Sequence, residues 1–291
     1  MIKLIYGLFI ATFLLLSTLA NSDEKIVVDL ILPAKNTELK ALSKKISDNP
    51  YFTVNTYINN SPKDNGEILI IVSEKLLPLL SNTNYRAKFA LYVNSNEYQK
   101  STATQTAALF SDQPLQRQLS LVNSLFENRS INVGVAYKNE NYGDDLQAMS
   151  KNFPSLIINT THISDQNIIR SINKIIQKND VLLSTPEHDI YNSETIRSIL
   201  LSSYRHQTLV IGPTEGFVTA GALATTFSTS DQYAYDIVSM VKQYIETNEL
   251  PSSQYPSKFS VKINYSVAES LGLNLPSEEE LAARISDTGE E

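Results

Sequence analysis

A chain of 291 residues without one cysteine depends on packing for its stability, which excludes the small disulfide-stapled secreted scaffolds. With 24 basic against 31 acidic residues the formal net charge is −7, which disfavours nucleic acid as a partner. The length favours two lobes of roughly 100 to 150 residues over one large domain.

The chain opens on basic Lys3, an apolar run over residues 4–16, and small residues at Ala20 and Ser22. This is the layout of a secretory signal peptide, expected over residues 1–22 with cleavage after Ala20 or Ser22 and the periplasm as destination. The run is shorter than the roughly 20 residues of a membrane-crossing helix, and Asp23, Glu24 and Lys25 follow at once. No cysteine is present to carry a lipid anchor. Near the other end, Glu278, Glu279, Glu280, Glu290 and Glu291 read as a solvated helix and tail with no site.

Between these ends, β-branched apolar runs alternate with amphipathic stretches, the pattern of parallel sheets covered by helices. Strands are predicted at residues 26–32, 52–58, 68–72 and 89–93, with a helix carrying Leu39, Leu42 and Ile46 on one face and a short one over 74–80. An apolar run at 107–110 then gives way to Ser111, Asp112, Gln113 and Pro114. From there a helix carries Leu115, Leu119, Val122 and Phe126, with Asp112 or Ser111 as expected N-cap and Pro114 in the first turn. A second series follows: strand 131–137, a helix with the stripe Ile168, Ile169, Ile172, Ile175 and Ile176, strand 181–183, helix 193–204, strand 209–212, the segment 222–227 and a long helix over 231–247. The fold class expected is α/β, two Rossmann-like lobes with parallel sheets facing each other across a central cleft, divided as 23–110 and 111–291 with the last elements returning toward the first lobe. Tyr204, Arg205 and His206 close a helix, where the dipole accounts for their charge.

Several short motifs occur in a particular order: Ser111-Asp112-Gln113-Pro114, Arg117-Gln118-Leu119, Ile131-Asn132-Val133-Gly134-Val135, Tyr191-Asn192, Ser203-Tyr204-Arg205-His206, Val210-Ile211-Gly212 and Gly221-Ala222-Leu223-Ala224-Thr225. Tyr255-Pro256, Phe259-Ser260-Val261 and Ser270-Leu271-Gly272-Leu273 follow. In this order, over residues 107–281, the set resembles the ABC-transporter substrate-binding family. The resemblance implies a type I periplasmic-binding-protein fold, a small-molecule ligand and an inner-membrane ABC permease as partner. Residues 26–109 match less well and look shorter, so a reduced first lobe is expected. The family's amino-acid-binding members carry an acidic residue soon after the Gly-Ala-Leu-Ala-Thr stretch, whereas Thr229 stands near that position here; a standard amino-acid ligand is not implied.

In open parallel sheets, ligands sit at the loops beyond the C-terminal ends of the strands. By that rule the candidate ligand-binding residues are Asn36 and Ser73 in the first lobe, and Tyr137, Lys138, Asn139, Asn141, Pro186, Glu187, His188, Thr214, Glu215 and Phe227 in the second. They offer donors and acceptors, with Tyr137 and Phe227 able to stack. Each residue alone reads more readily as a turn or cap than as a ligand contact; the group is argued from the face its loops share. No Gly-x-Ser-x-Gly elbow, phosphate-cradling glycine loop or histidine pair at metal-binding helical spacing is present, and His162, His188 and His206 are widely separated. Glu187-His188-Asp189 reads as a solvated loop, not a metal site. The expectation is passive solute capture with no cofactor, metal or catalytic residue. The alternative is a periplasmic sensor or interaction module that signals to a membrane receptor or kinase.

Overall fold

The computed structural model describes residues 25–82, 84–101, 105–126, 129–164 and 167–287. The expected signal peptide, Asp23, Glu24, Glu290 and Glu291 lie outside these residues. The first sheet contains β1 (Ile26–Leu32), β2 (Phe52–Ile58), β3 (Ile68–Val72), β4 (Ala87–Val93) and β5 (Thr106–Phe110), all parallel in the order β2-β1-β3-β4-β5. β3 reads Ile-Leu-Ile-Ile-Val and every residue of it is buried, as a strand covered on both faces requires. β2, at the edge, mixes buried and exposed positions.

Helix α1 (Thr37–Ser47) is started by Asn36, whose Oδ1 accepts from the Leu39 amide at 2.7 Å, and it buries Leu42 and Ile46 against the sheet. The helix expected after β3 is a 3-10 segment, Glu74–Asn82. Pro78 inside it lacks the amide that an α-helical ladder needs there. Helix α2 (Ser95–Gln99), capped by Asn94, is a single turn and too short to show a hydrophobic period in sequence.

The second sheet is built from β6 (Ile131–Tyr137), β7 (Leu156–His162), β8 (Val181–Ser184), β9 (Leu209–Ile211), β10 (Ala224–Phe227) and β11 (Ser260–Ile263), in the order β11-β10-β9-β8-β6-β7. Its pairs are parallel except for antiparallel β11. Without β11, this order repeats the first sheet: the second strand at the edge, then first, third, fourth and fifth. Each sheet therefore reverses direction beside its first strand, the switch point where loops diverge and leave a crevice.

Helices α3 (Leu115–Leu125), α4 (Asn141–Ser150), α5 (Ile168–Ile176), α6 (Ile196–His206), α7 (Glu215–Ala220), α9 (Tyr265–Ser270) and α10 (Glu278–Asp287) belong with the second sheet, and α8 (Ser230–Thr247) with the first. Tyr233, Ala234, Ile237, Met240, Val241 and Tyr244 of α8 join the core of β1 to β5. A capping box starts this helix, with Thr229 Oγ1 accepting from the Gln232 amide and Gln232 Oε1 from the Thr229 amide. Two expectations are corrected. Neither Ser111 nor Asp112 caps α3: extended Pro114 holds the N-cap position without a side-chain bond, because the Asp112 carboxylate is turned to Ser95. And α6 starts at Ile196, not Ser193, since Asn192 Oδ1 accepts from the amides of Glu194 and Thr195 and folds those residues into a turn.

The chain thus crosses between the lobes after β5, before α8 and before β11. One buried side chain gathers these crossings. Arg117, 2% exposed, donates to Gln113 Oε1 at 2.6 Å and to the Pro256 carbonyl at 3.2 Å, and lies over the Phe259 ring at 4.3 Å. Gln113 Nε2 donates in turn to Ser228 Oγ, whose own proton goes to the Lys258 carbonyl. Among the described residues no helix is long and apolar enough to cross a membrane.

Candidate functional site

A cavity of about 600 Å³ lies where the strand ends of the two sheets meet, a size typical of small-molecule sites. The first lobe contributes Asn94 after β4, and Ser111 and Asp112 after β5. The second contributes Pro186 and His188 after β8, Pro213 and Thr214 after β9, and Tyr191, Asn192, Ser193, Ile196, Gly216 and Phe217 behind them. Tyr191 and Phe217 are buried and meet edge to face with ring centroids 6.4 Å apart, and with both prolines and Ile196 they make up the apolar part of the lining. A larger cavity, about 750 Å³ beside Lys35, Asn36, Lys40 and Thr56, is lined by the first lobe alone.

Asp112 is the carboxylate of the site. Its Oδ1 accepts from the Ser95 amide at 2.8 Å and its Oδ2 from the Ser95 hydroxyl at 2.7 Å. Burial pushes its carboxyl above the ordinary aspartate value, against the opposing pull of the Ser95 bonds and of His188. Tyr191 is raised by burial and then by the nearby Glu187 carboxylate, and keeps its proton.

The lobes touch through polar bonds at the cavity's edge. Asn94 Nδ2 donates to the Pro186 carbonyl at 2.9 Å, Asn96 Nδ2 to Tyr142 Oη at 2.7 Å, and Asn139 Nδ2 to Asn96 Oδ1 at 2.8 Å. Burial raises Tyr142, so this hydroxyl stays a neutral partner.

Of the residues expected to bind ligand, Pro186, His188 and Thr214 line this cavity. The remainder are elsewhere or differently engaged. Asn36 caps α1. Ser73 holds a left-handed φ of 117°, sparsely populated for a residue with a Cβ, and its Oγ accepts from the Lys75 amide. The Tyr137 ring packs edge to face on His162 at 5.7 Å. Glu187 accepts from the amides of Lys138 and Asn139 at 3.0 and 2.8 Å and from Thr185 Oγ1 at 2.8 Å, so its carboxylate fixes the loop after β6. Asn139 bridges to the first lobe, and the Asn141 amide donates to Asn139 Oδ1. Glu215, raised by burial, lies outside the lining with Phe227, which pairs with Ser260 across β10 and β11. The lining residues that sequence reasoning left out are Asn94, Ser111, Asp112, Tyr191, Asn192, Ser193, Ile196, Pro213, Gly216 and Phe217. Two signals existed, since Ser111-Asp112 follows an apolar run and Tyr191-Asn192 stands among the ordered motifs.

No protein-family model matches the sequence, and no curated protein matches it. Solved structures do. A substrate-binding protein with adhesive properties from Clostridium difficile, in its ligand-free open form, superposes with a TM-score of 0.64 at 13% identity over 87% of this chain and 97% of that one. An ABC domain in complex with L-Trp from Streptococcus pneumonia gives 0.58 at 12% identity, covering 89% and 98%. A conserved domain protein from Vibrio cholerae gives 0.54 at 16% identity, covering 90% and 98%. At these identities the likeness establishes the fold: the chain has the two-lobed architecture of type I periplasmic-binding proteins.

Proposed function

We propose that this protein is an exported solute-binding component of an ABC-type transport system, which captures a small molecule between its lobes and makes or breaks no bond. The observation that carries the reading is the cavity itself, bounded on one bank by the loops after β4 and β5 and on the other by those after β8 and β9. A ligand held by both banks binds the closed arrangement better than the open one, and that difference in affinity drives closure. The closed form then docks on an inner-membrane permease. The polar lining is anchored: Asp112 by Ser95, Pro186 by Asn94, Asn192 by its own turn. Pre-set groups of this kind orient a solute at little entropic cost. Non-catalytic capture also accords with the substrate-binding name of the Clostridium difficile structure.

Thermal-shift and isothermal-titration screening of the mature protein against panels of small metabolites tests the reading. A saturable ligand that raises the melting temperature, and whose effect is lost on filling the cavity by Gly216→Trp, supports it. Uniform failure across broad panels counts against it.

A further inference from the structure

The charge of the cavity narrows the ligand, given the solute-capture reading on which this step rests. Among the described residues that line it there is no lysine or arginine; the ionisable side chains are the Asp112 carboxylate, the His188 imidazole and the Tyr191 phenol. Glu187 and Asp189 flank His188 in the chain, and the Lys100 ammonium lies within electrostatic reach of both. A ligand carboxylate or phosphate entering here gives up water and meets no lysine or arginine, only the His188 imidazole beside the Asp112 carboxylate, an unfavourable exchange in a partly enclosed site. Asp112 retains acceptor capacity, since a carboxylate offers about four lone-pair positions, of which Ser95 occupies two and the Asp112 amide a third. Tyr191, Phe217, Pro186, Pro213 and Ile196 supply the apolar part of the same lining, against which an apolar ring can pack.

We infer that the cavity takes a small ligand without net negative charge, whose apolar ring lies on the Tyr191 and Phe217 wall and whose N–H or ammonium group points at Asp112. A charge-assisted bond to Asp112 then separates cations from anions of the same shape.

The test uses phenethylamine, phenethyl alcohol and phenylacetate, which share a ring and differ in charge, with dissociation constants from ligand-observed NMR on the mature protein. The expected order is amine tightest, then alcohol, then carboxylate, with amine and carboxylate apart by about tenfold or more, the ratio one charge-assisted hydrogen bond gives. Asp112→Asn keeps an acceptor for the Ser95 amide and reduces this preference to less than about threefold. Ser193→Lys, at an exposed lining position, brings in a cation and moves the order toward phenylacetate. Phenylacetate binding as tightly as the amine overturns the charge assignment and leaves solute capture standing. Failure of all three probes overturns the ring-and-amine assignment, while the metabolite panels decide separately whether the cavity captures a solute at all. A preference unchanged in both variants also overturns it.

Discussion

Replacing Arg117 by methionine tests whether one side chain holds the lobe crossings together. The substitution keeps an unbranched stem and removes a guanidinium that donates to Gln113 Oε1 and the Pro256 carbonyl and lies on Phe259. Two acceptors left dry cost about 1–2 kcal/mol each, and the lost stacking about 1 kcal/mol. Relief from burying a cation returns roughly 1–2 kcal/mol of that. The net loss is about 1–4 kcal/mol, which for a chain of this size lowers the melting temperature by about 2–16 °C. Arg117→Lys keeps the charge without the fork and falls between the two, because an ammonium cannot serve both acceptors in the geometry a guanidinium fits. Scanning calorimetry of the three proteins reads this directly. Arg117→Met melting within about 1 °C of the wild type refutes the idea that the crossings are pinned at this residue.

Alanine at Glu187 leaves the amides of Lys138 and Asn139 without their acceptor. The expected cost is about 1–3 kcal/mol, with faster hydrogen exchange confined to residues 138 and 139 if the carboxylate fixes that loop. Gly134→Ala is expected to destabilise by about 1–3 kcal/mol, since a Cβ there stands 2.3 Å from Ile175 Cγ2 and 2.7 Å from Asn179 Nδ2; urea midpoints check it. The pH profile has a predicted sign. Burial raises Tyr85, Tyr92, Tyr142, Tyr191 and Tyr233 above the ordinary tyrosine value. The folded state therefore holds more protons than the unfolded one above about pH 10, and their contribution is complete below that pH and lost as pH rises further. The urea midpoint is expected to be flat with respect to these groups from pH 7 to about 9 and to fall above about 10. A midpoint that rises there contradicts the burial of these rings.

The elements legible in sequence were those whose burial is lopsided. β1, β2, β3 and β6 stand where alternating or continuous apolar runs placed them. The isoleucine stripe of α5 buries Ile172, Ile175 and Ile176. β7 escaped because most of it is exposed at a sheet edge, Leu156 being its buried residue, so Asn159, Thr160, Thr161 and His162 give no apolar period. Helices α2, α7 and α9 are one or two turns long and carry too few positions for a period to show. The site was less legible than the sheets for a geometric reason. Counting outward from strand ends finds the loops at the switch points, yet the cavity also draws on α6 and α7 and on the crossing after β5. Asp112 looked like a helix cap because spacing along the chain cannot reveal that its partner, Ser95, stands at the start of α2.

The two cores explain why such a molecule can move without unfolding. Leu30, Ile70 and Phe89 pack with α8 in one core, while Val133, Leu183 and Ile211 pack with α3 and α10 in the other. Between them, on the cavity's edge, stand the bonds of Asn94, Asn96 and Asn139 to groups of the second lobe. Each such neutral bond contributes about 0.5–1.5 kcal/mol, and opening returns its groups to water. The open and closed arrangements then differ by a few kcal/mol, within what a small ligand's differential affinity can overcome. Asn96→Ala removes two of these bonds by severing both Tyr142 and Asn139, and so is expected to enlarge the ligand-free radius of gyration in small-angle scattering. Saturating ligand restores the compact form at the expense of a weaker apparent affinity. An Asn96→Ala protein as compact as the wild type without ligand shows instead that the lobes are held together by their crossings, with Arg117 at the centre.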